Sequence, residues 1–237
     1  MMIDIDASPE IIDFENGEVI LFDKPLKWSS FDVIRQIKSI VPIKKIGHAG
    51  TLDPLAEGLL ILCTGKKTRS IQEYQNLPKV YTGTLQLGVE SPSYDLETPV
   101  TGNYPIDHID DQLIRETVAK FTGEIIQQPP VFSAIKLKGK RAYQLAKKGK
   151  NPVLEGRKVS IYDFQVNAFE GNQLTFTVKC SKGTYIRSLV HDFGKSLGSA
   201  AVLTWLQRTQ IGDFHIKKAV NFASFKNIVS GAKQVIL

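Results

Sequence analysis

The stretch Arg157–Cys180, RKVSIYDFQVNAFEGNQLTFTVKC, decides the fold class. Residues 157–169 and 173–180 are rich in Val, Ile, Phe and Thr, and Val166, Ala168, Leu174, Phe176 and Val178 fall at alternating positions. Glu170-Gly171-Asn172 between them is a turn sequence, so the two runs read as an antiparallel hairpin. Downstream, Tyr185–Leu197 reads as a helix ended by Gly198. Upstream, Asp110–Phe121 reads as a helix capped by Asp110 or Asp111 and closed by Gly123, and Lys79–Gly88 alternates as a strand before a turn-rich stretch, Glu90–Pro105. Towards the start, Glu18–Asp23 reads as a strand broken by Lys24-Pro25. A short helix from Ser30 follows, with Phe31, Ile34, Ile37 and Val41 on one face. Strands and helices mix without a steady βαβ alternation, which predicts an α+β architecture on a mostly antiparallel sheet flanked by helices.

The chain has 237 residues, 42% hydrophobic and 23% charged, enough apolar material for a sizeable core and no case for disorder. With no repeat, linker or composition break, a single catalytic domain over 1–237 is expected, and the residues after Gly212 are too few for more than a helix or a strand pair. The first eighteen residues hold six acids and no Lys or Arg, unlike a targeting segment, and no apolar run approaches the roughly 20 residues of a membrane span. A soluble, cytoplasmic protein is expected, with Cys63 and Cys180 as buried free thiols. The net charge of +6 matters through its placement: residues 131–151, VFSAIKLKGKRAYQLAKKGKN, carry seven Lys or Arg and no acid. That run is either a solvated face or a phosphate-tracking surface, and the interleaved Phe132, Tyr143 and Leu145 suit the second.

Several constellations drop out. TGKKT lacks the spacing and the hydroxyl residue of a phosphate loop, and His191-Asp192-Phe193-Gly194 has no glycine-rich or catalytic loop before it and reads as ordinary helix. His48, His108, His191 and His215 have no metal-ligand spacing, so no metal is expected. What remains is KIGHAGTLDPLAEG, a breaker-rich loop before the strand-like LLILC. Pro54 disfavours α geometry at Asp53 and so orients its carboxylate. By itself Asp53 could simply cap the turn, and His48 could be structural.

The longer string GHAGTLDPLAEGLLIL closely resembles the central motif of the TruB family of tRNA pseudouridine synthases. FDKP before it, and KVYTGTLQLG, QQPPVFSAIKLKGKRAYQLAKKG, CSKGTYIRSLVHDFGKSLG and LTWLQRTQIGDF after it, stand in the order that family shows, and the resemblance runs from Val19 to Phe214. The resemblance implies a largely antiparallel sheet with a central RNA-binding cleft, and isomerisation of the T-loop uridine at tRNA position 55 by base flipping, with no cofactor. It implies Asp53 as the catalytic carboxylate, Arg187 as its partner, and Tyr81, Tyr185 and Leu206 around the target base. His48 would fill the space left by the flipped nucleotides, while Lys24 and the basic stretch would meet phosphates. Tyr81 could otherwise be a strand-face aromatic, Leu206 plain core and Arg187 a surface residue. The family usually shows glycine after Lys-Pro where this chain has Lys27-Trp28, and Asp95, near the family's active site, stands in an altered ESPSYDLETPV and is assigned no role. No complete C-terminal PUA module is expected, so the catalytic domain would carry most of the tRNA affinity, as a monomer without an obligate protein partner. The alternatives are a non-catalytic tRNA folding aid and a synthase acting on other RNA.

Overall fold

The structure is a computed structural model that describes residues 1–133, 136–137, 140–143 and 154–237. Most of the basic stretch at 131–151 therefore lies outside the described residues. The chain runs through β1 (Met2–Ile3), β2 (Ile11–Asp13), β3 (Val19–Lys24), α1 (Ser30–Ile40), β4 (Ile46–His48), β5 (Ala56–Thr64), a 3-10 turn at Gly65–Ser70, α2 (Ile71–Asn76) and β6 (Lys79–Leu87). It continues through α3 (Asp111–Phe121), β7 (Gly123–Gln127), β8 (Lys136–Leu137), β9 (Lys140–Arg141), β10 (Arg157–Glu170), β11 (Gln173–Cys180), α4 (Ile186–Ser196) and β12 (Ala201–Ile211). It ends with β13 (Phe214–His215), α5 (Phe222–Gly231) and β14 (Gln234–Ile236). The principal strand order is β1-β3-β5-β12-β6-β11-β10-β7, with β4 paired to β5 and β13 to β12. This is the mixed α/β class expected. Among the described residues no helix is long and apolar enough to cross a membrane.

The residues group into two compact units, Met1–Tyr81 with Gln207–Leu237, and Thr82–Leu206. In the first, β3 and β5 pair antiparallel from Val19↔Cys63 to Lys24↔Gly58. Ile20, Phe22, Leu60 and Leu62 face one apolar cluster with Val33, Ile34 and Ile37 of α1 and Phe225 of α5. Val19, Leu21, Leu59, Ile61 and Cys63 face another, against Ile71 and Tyr74 of α2. Burial on both faces explains why LLILC is a continuous apolar run rather than an alternating one. Each such side chain contributes about 1.5–3 kcal/mol. The acidic leader is folded into this unit: β1 pairs with β3, β2 with β14, the Met1 amino group meets Glu18 at 2.8 Å, and Lys218 and Lys233 pair with Asp6 and Glu10.

Helix α1 starts in a capping box, with Ser29 and Asp32 each bonded to the other's backbone N–H. Its buried face is Ser30, Val33, Ile34 and Ile37, and Phe31 is 68% exposed. The expectation that Phe31 faces inward fails because at about 100° per residue it lies roughly 120° from Ile37, whereas Val33 lies within about 40°.

In the second unit β10 and β11 form the expected hairpin, closing at Glu170↔Gln173 with Gly171 at φ 59°. Leu174, Phe176 and Val178 are buried as the alternation predicts, but Ala168 is exposed. A register shift between Val166 and Ala168 reverses the phase of β10, so that Phe169, not Ala168, stands opposite Leu174. Phe164, Phe176 and Phe193 of α4 pack edge-on at 5.4–5.9 Å, and Phe121 of α3 meets Phe193 at 5.9 Å. Asp110 caps α3 by accepting the Leu113 N–H at 2.8 Å. Cys63 and Cys180 are both buried, and neither is in a disulfide.

Candidate active site

In the first unit the loop 49–55 links β4 to β5 and carries Asp53. Its backbone is held from several sides. Ser30 Oγ, buried at the start of α1, accepts the Leu52 N–H at 2.9 Å and donates to the Leu52 carbonyl at 3.3 Å. The buried Arg208 guanidinium donates from Nε to the Leu59 carbonyl at 2.7 Å and from Nη2 to the Gly50 carbonyl at 3.1 Å. The Lys27 N–H reaches the Pro54 carbonyl at 2.8 Å, and the Ala56 N–H the Asp53 carbonyl at 3.1 Å. Asp53 itself is half-buried at the bend these contacts fix. Gly58, at φ 102°, lets β5 approach β12: a Cβ there would lie 2.4 Å from the Arg208 carbonyl oxygen.

Lys24, at the end of β3, is fully buried, and its ammonium donates to the carbonyls of Trp28 at 2.6 Å and Pro25 at 3.0 Å. Burial lowers its pKa to about 8, against the pull of the Asp53 and Glu57 carboxylates, with Arg208 adding to the fall. His48 ends β4, half-buried, with Nε2 3.0 Å from Thr51 Oγ1. Burial first, and then Arg208, lowers its pKa, so the imidazole is neutral at neutral pH. Tyr81 lies on the buried face of β6. This unit thus places His48 and Asp53 on the β4–β5 connection, with Lys24 at the end of β3 opposite Gly58 of β5.

The second unit holds Tyr185, Arg187 and Leu206. Gln127, buried at the end of β7, bonds both backbone groups of Tyr185, accepting its N–H at 2.7 Å and donating to its carbonyl at 3.0 Å. The Arg157 guanidinium lies 5.0 Å from the Tyr185 ring centroid. Arg187, in the first turn of α4, is 4% exposed. It donates to the carbonyls of Ser93 at 3.1 Å and Phe132 at 3.0 Å, and its Nε lies 3.6 Å from Asp95 Oδ2. Asp95, equally buried, accepts the Glu97 N–H at 2.9 Å. Leu206 is buried in β12. Asp95, which the resemblance set near the family's active site without a role, is drawn into the candidate site by its ion pair with Arg187. Arg208 was missed, although a lone cation in a strand of apolar and neutral residues is a visible signal.

In a solved Cbf5-Nop10-Gar1 complex one chain superposes with a TM-score of 0.71 at 30% identity, over 90% of this chain and 54% of that one. An H/ACA RNP bound to a substrate RNA containing 2'-deoxyuridine gives 0.67 at 27% identity, over 90% and 53%. The chain spans about half the length of these solved proteins. The family model described as TruB family pseudouridylate synthase (N terminal domain) matches residues 38–186. Curated relatives called tRNA pseudouridine synthase B include that of Flavobacterium johnsoniae, 49% identical over 90% of this chain and 96% of its own length. That of Clostridium tetani is 44% identical over 87% and 71%. The class defined by the fold and the site is that of the pseudouridylate synthases, enzymes that isomerise uridine within RNA. Within that class, the chain belongs to the TruB family.

Proposed function

We propose that the enzyme converts the T-loop uridine of tRNA, at position 55, to pseudouridine, with Asp53 as the acting carboxylate. The observation that carries this reading is the loop of Asp53, whose backbone Ser30, Arg208 and Lys27 hold on both sides of the residue. Similarity to proteins named tRNA pseudouridine synthase B over nine-tenths of this chain supports the substrate class. The reaction breaks the bond from ribose C1′ to N1, rotates the base and joins C1′ to C5; the C5 proton is lost to solvent and N1 takes one up. Product and substrate are isomers, so no redox partner or transferred group is required. A fixed carboxylate serves either covalent attack or proton removal from the ribose.

Extruding the uridine costs a few kcal/mol, and stacking on aromatic rings returns about 1–3 kcal/mol per base. Tyr81, Tyr185 and Leu206 are proposed to receive the base, and the neutral imidazole of His48 to fill the vacated space. Arg187 is proposed to aim the Asp53 carboxylate, with Asp95 holding Arg187. The burial of Lys24 and its bonds to two carbonyls favour holding the loop before α1 over contacting phosphate. Phosphates fall instead to the stretch 131–151. The enzyme is proposed to act in the cytoplasm as a single-domain monomer.

The test is tritium release from a tRNA transcript labelled at uridine C5, beside a transcript with cytidine at position 55. Release from the first alone is the expected result. Equal release from both would refute the assigned position, and binding without release would favour a folding aid.

A further inference from the structure

We propose that Tyr94 and His191 form a stacked clamp that positions the Asp95–Arg187 pair. Their ring centroids lie 3.8 Å apart at an interplanar angle of 16°. Tyr94 stands at φ 64°, a conformation that disfavours an L side chain, so its ring contact must outweigh a backbone preference for glycine. The residues on either side of this strained position both meet Arg187. Ser93 offers its carbonyl to Arg187 Nη1 at 3.1 Å, and Asp95 its carboxylate to Nε at 3.6 Å.

The loop is further pinned at its backbone. Ser91 Oγ and Ser93 Oγ donate to the Asp95 carbonyl at 2.6 and 3.2 Å, and the Tyr94 carbonyl accepts the Leu203 N–H at 3.0 Å. On α4, Arg187 and His191 are four residues apart and share a face. One helix therefore grips one loop twice, by ions at Arg187 and by rings at His191. The first contact fixes distance and the second fixes rotation. His191 acts as a neutral ring, because burial and then Lys195 lower its pKa to about 4.

The inference rests on the proposed role of Arg187, so its test has one readout independent of activity. Hydrogen exchange of the Arg187 Nε–H, followed by nuclear magnetic resonance, reports the grip of Asp95. Single-turnover tritium release and tRNA affinity report its consequence. Glycine suits the backbone at 94, so Tyr94→Gly should still fold, with a modestly lower melting temperature because the lost ring contact outweighs the relieved backbone. It is expected to speed Arg187 exchange and to slow turnover about tenfold or more at unchanged tRNA affinity. His191→Ala should do the same, while Tyr94→Phe, which keeps the ring, should match the parent in both readouts. Unchanged Arg187 exchange in Tyr94→Gly overturns the clamp whatever the rate, as does equal loss in Tyr94→Phe. If the parent releases no tritium, the enzymatic reading fails and the exchange measurement still decides the clamp.

Discussion

Lys27 occupies a left-handed position, at φ 67°, of the kind that favours glycine. The conformation puts strain on a lysine whose N–H reaches the carbonyl beside Asp53. An L residue in this conformation costs about 1–2 kcal/mol, so Lys27→Gly should raise stability by roughly 1 kcal/mol in urea unfolding; a loss would mean the Lys27 side chain holds the loop. Lys24 makes a second prediction. Its pKa falls from the ordinary 10.5 to about 8 on folding. Between those values the unfolded chain binds the proton more strongly, so the Lys24 contribution to stability rises with pH across that window and is flat below it. Burial of the Cys63 thiol, pushed up to about 11, acts in the opposite sense, but it is common to the parent and to Lys24→Met. The stability of the parent relative to Lys24→Met should therefore grow from pH 8 to 10.5, by up to about 3 kcal/mol. A difference independent of pH would show that Lys24 keeps an ordinary pKa.

Among the elements, α1 links folding to the site most directly. Its capping box sets where the helix starts, and the next residue, Ser30, serves both backbone groups of Leu52, next to Asp53. Ser30→Ala leaves that buried N–H and carbonyl without their hydroxyl, at about 1–3 kcal/mol of stability, and should slow turnover more than it weakens tRNA binding. Equal effects on both would place Ser30 in general stability instead. The start of this helix, the hairpin at Gly171 and the cap at Asp110 were legible because a few neighbouring residues determine each. The exposed Phe31 and the reversed phase at Ala168 were less so. The first depends on which neighbouring stripe the core selects, and the second on a bulge whose extra residue leaves no mark in composition.

At the scale of the whole molecule, the class of fold was readable from the mixture of strands and helices, but the strand order was not. Pairing β5 with β12 joins residues far apart in the chain, and local pattern holds no record of such partners. The candidate site was suggested at Asp53, as at Arg187, through family resemblance, since Asp53 by itself could simply cap the turn before Pro54. Asp95 and Arg208 acquire meaning once folding buries them beside the carbonyls and ions they meet. If the Asp53 carboxylate does the chemistry, then on a tRNA transcript tritiated at uridine C5 the parent releases tritium, Asp53→Asn releases none above background, and both bind the tRNA equally well. Release by Asp53→Asn at a rate near that of the parent would contradict that role.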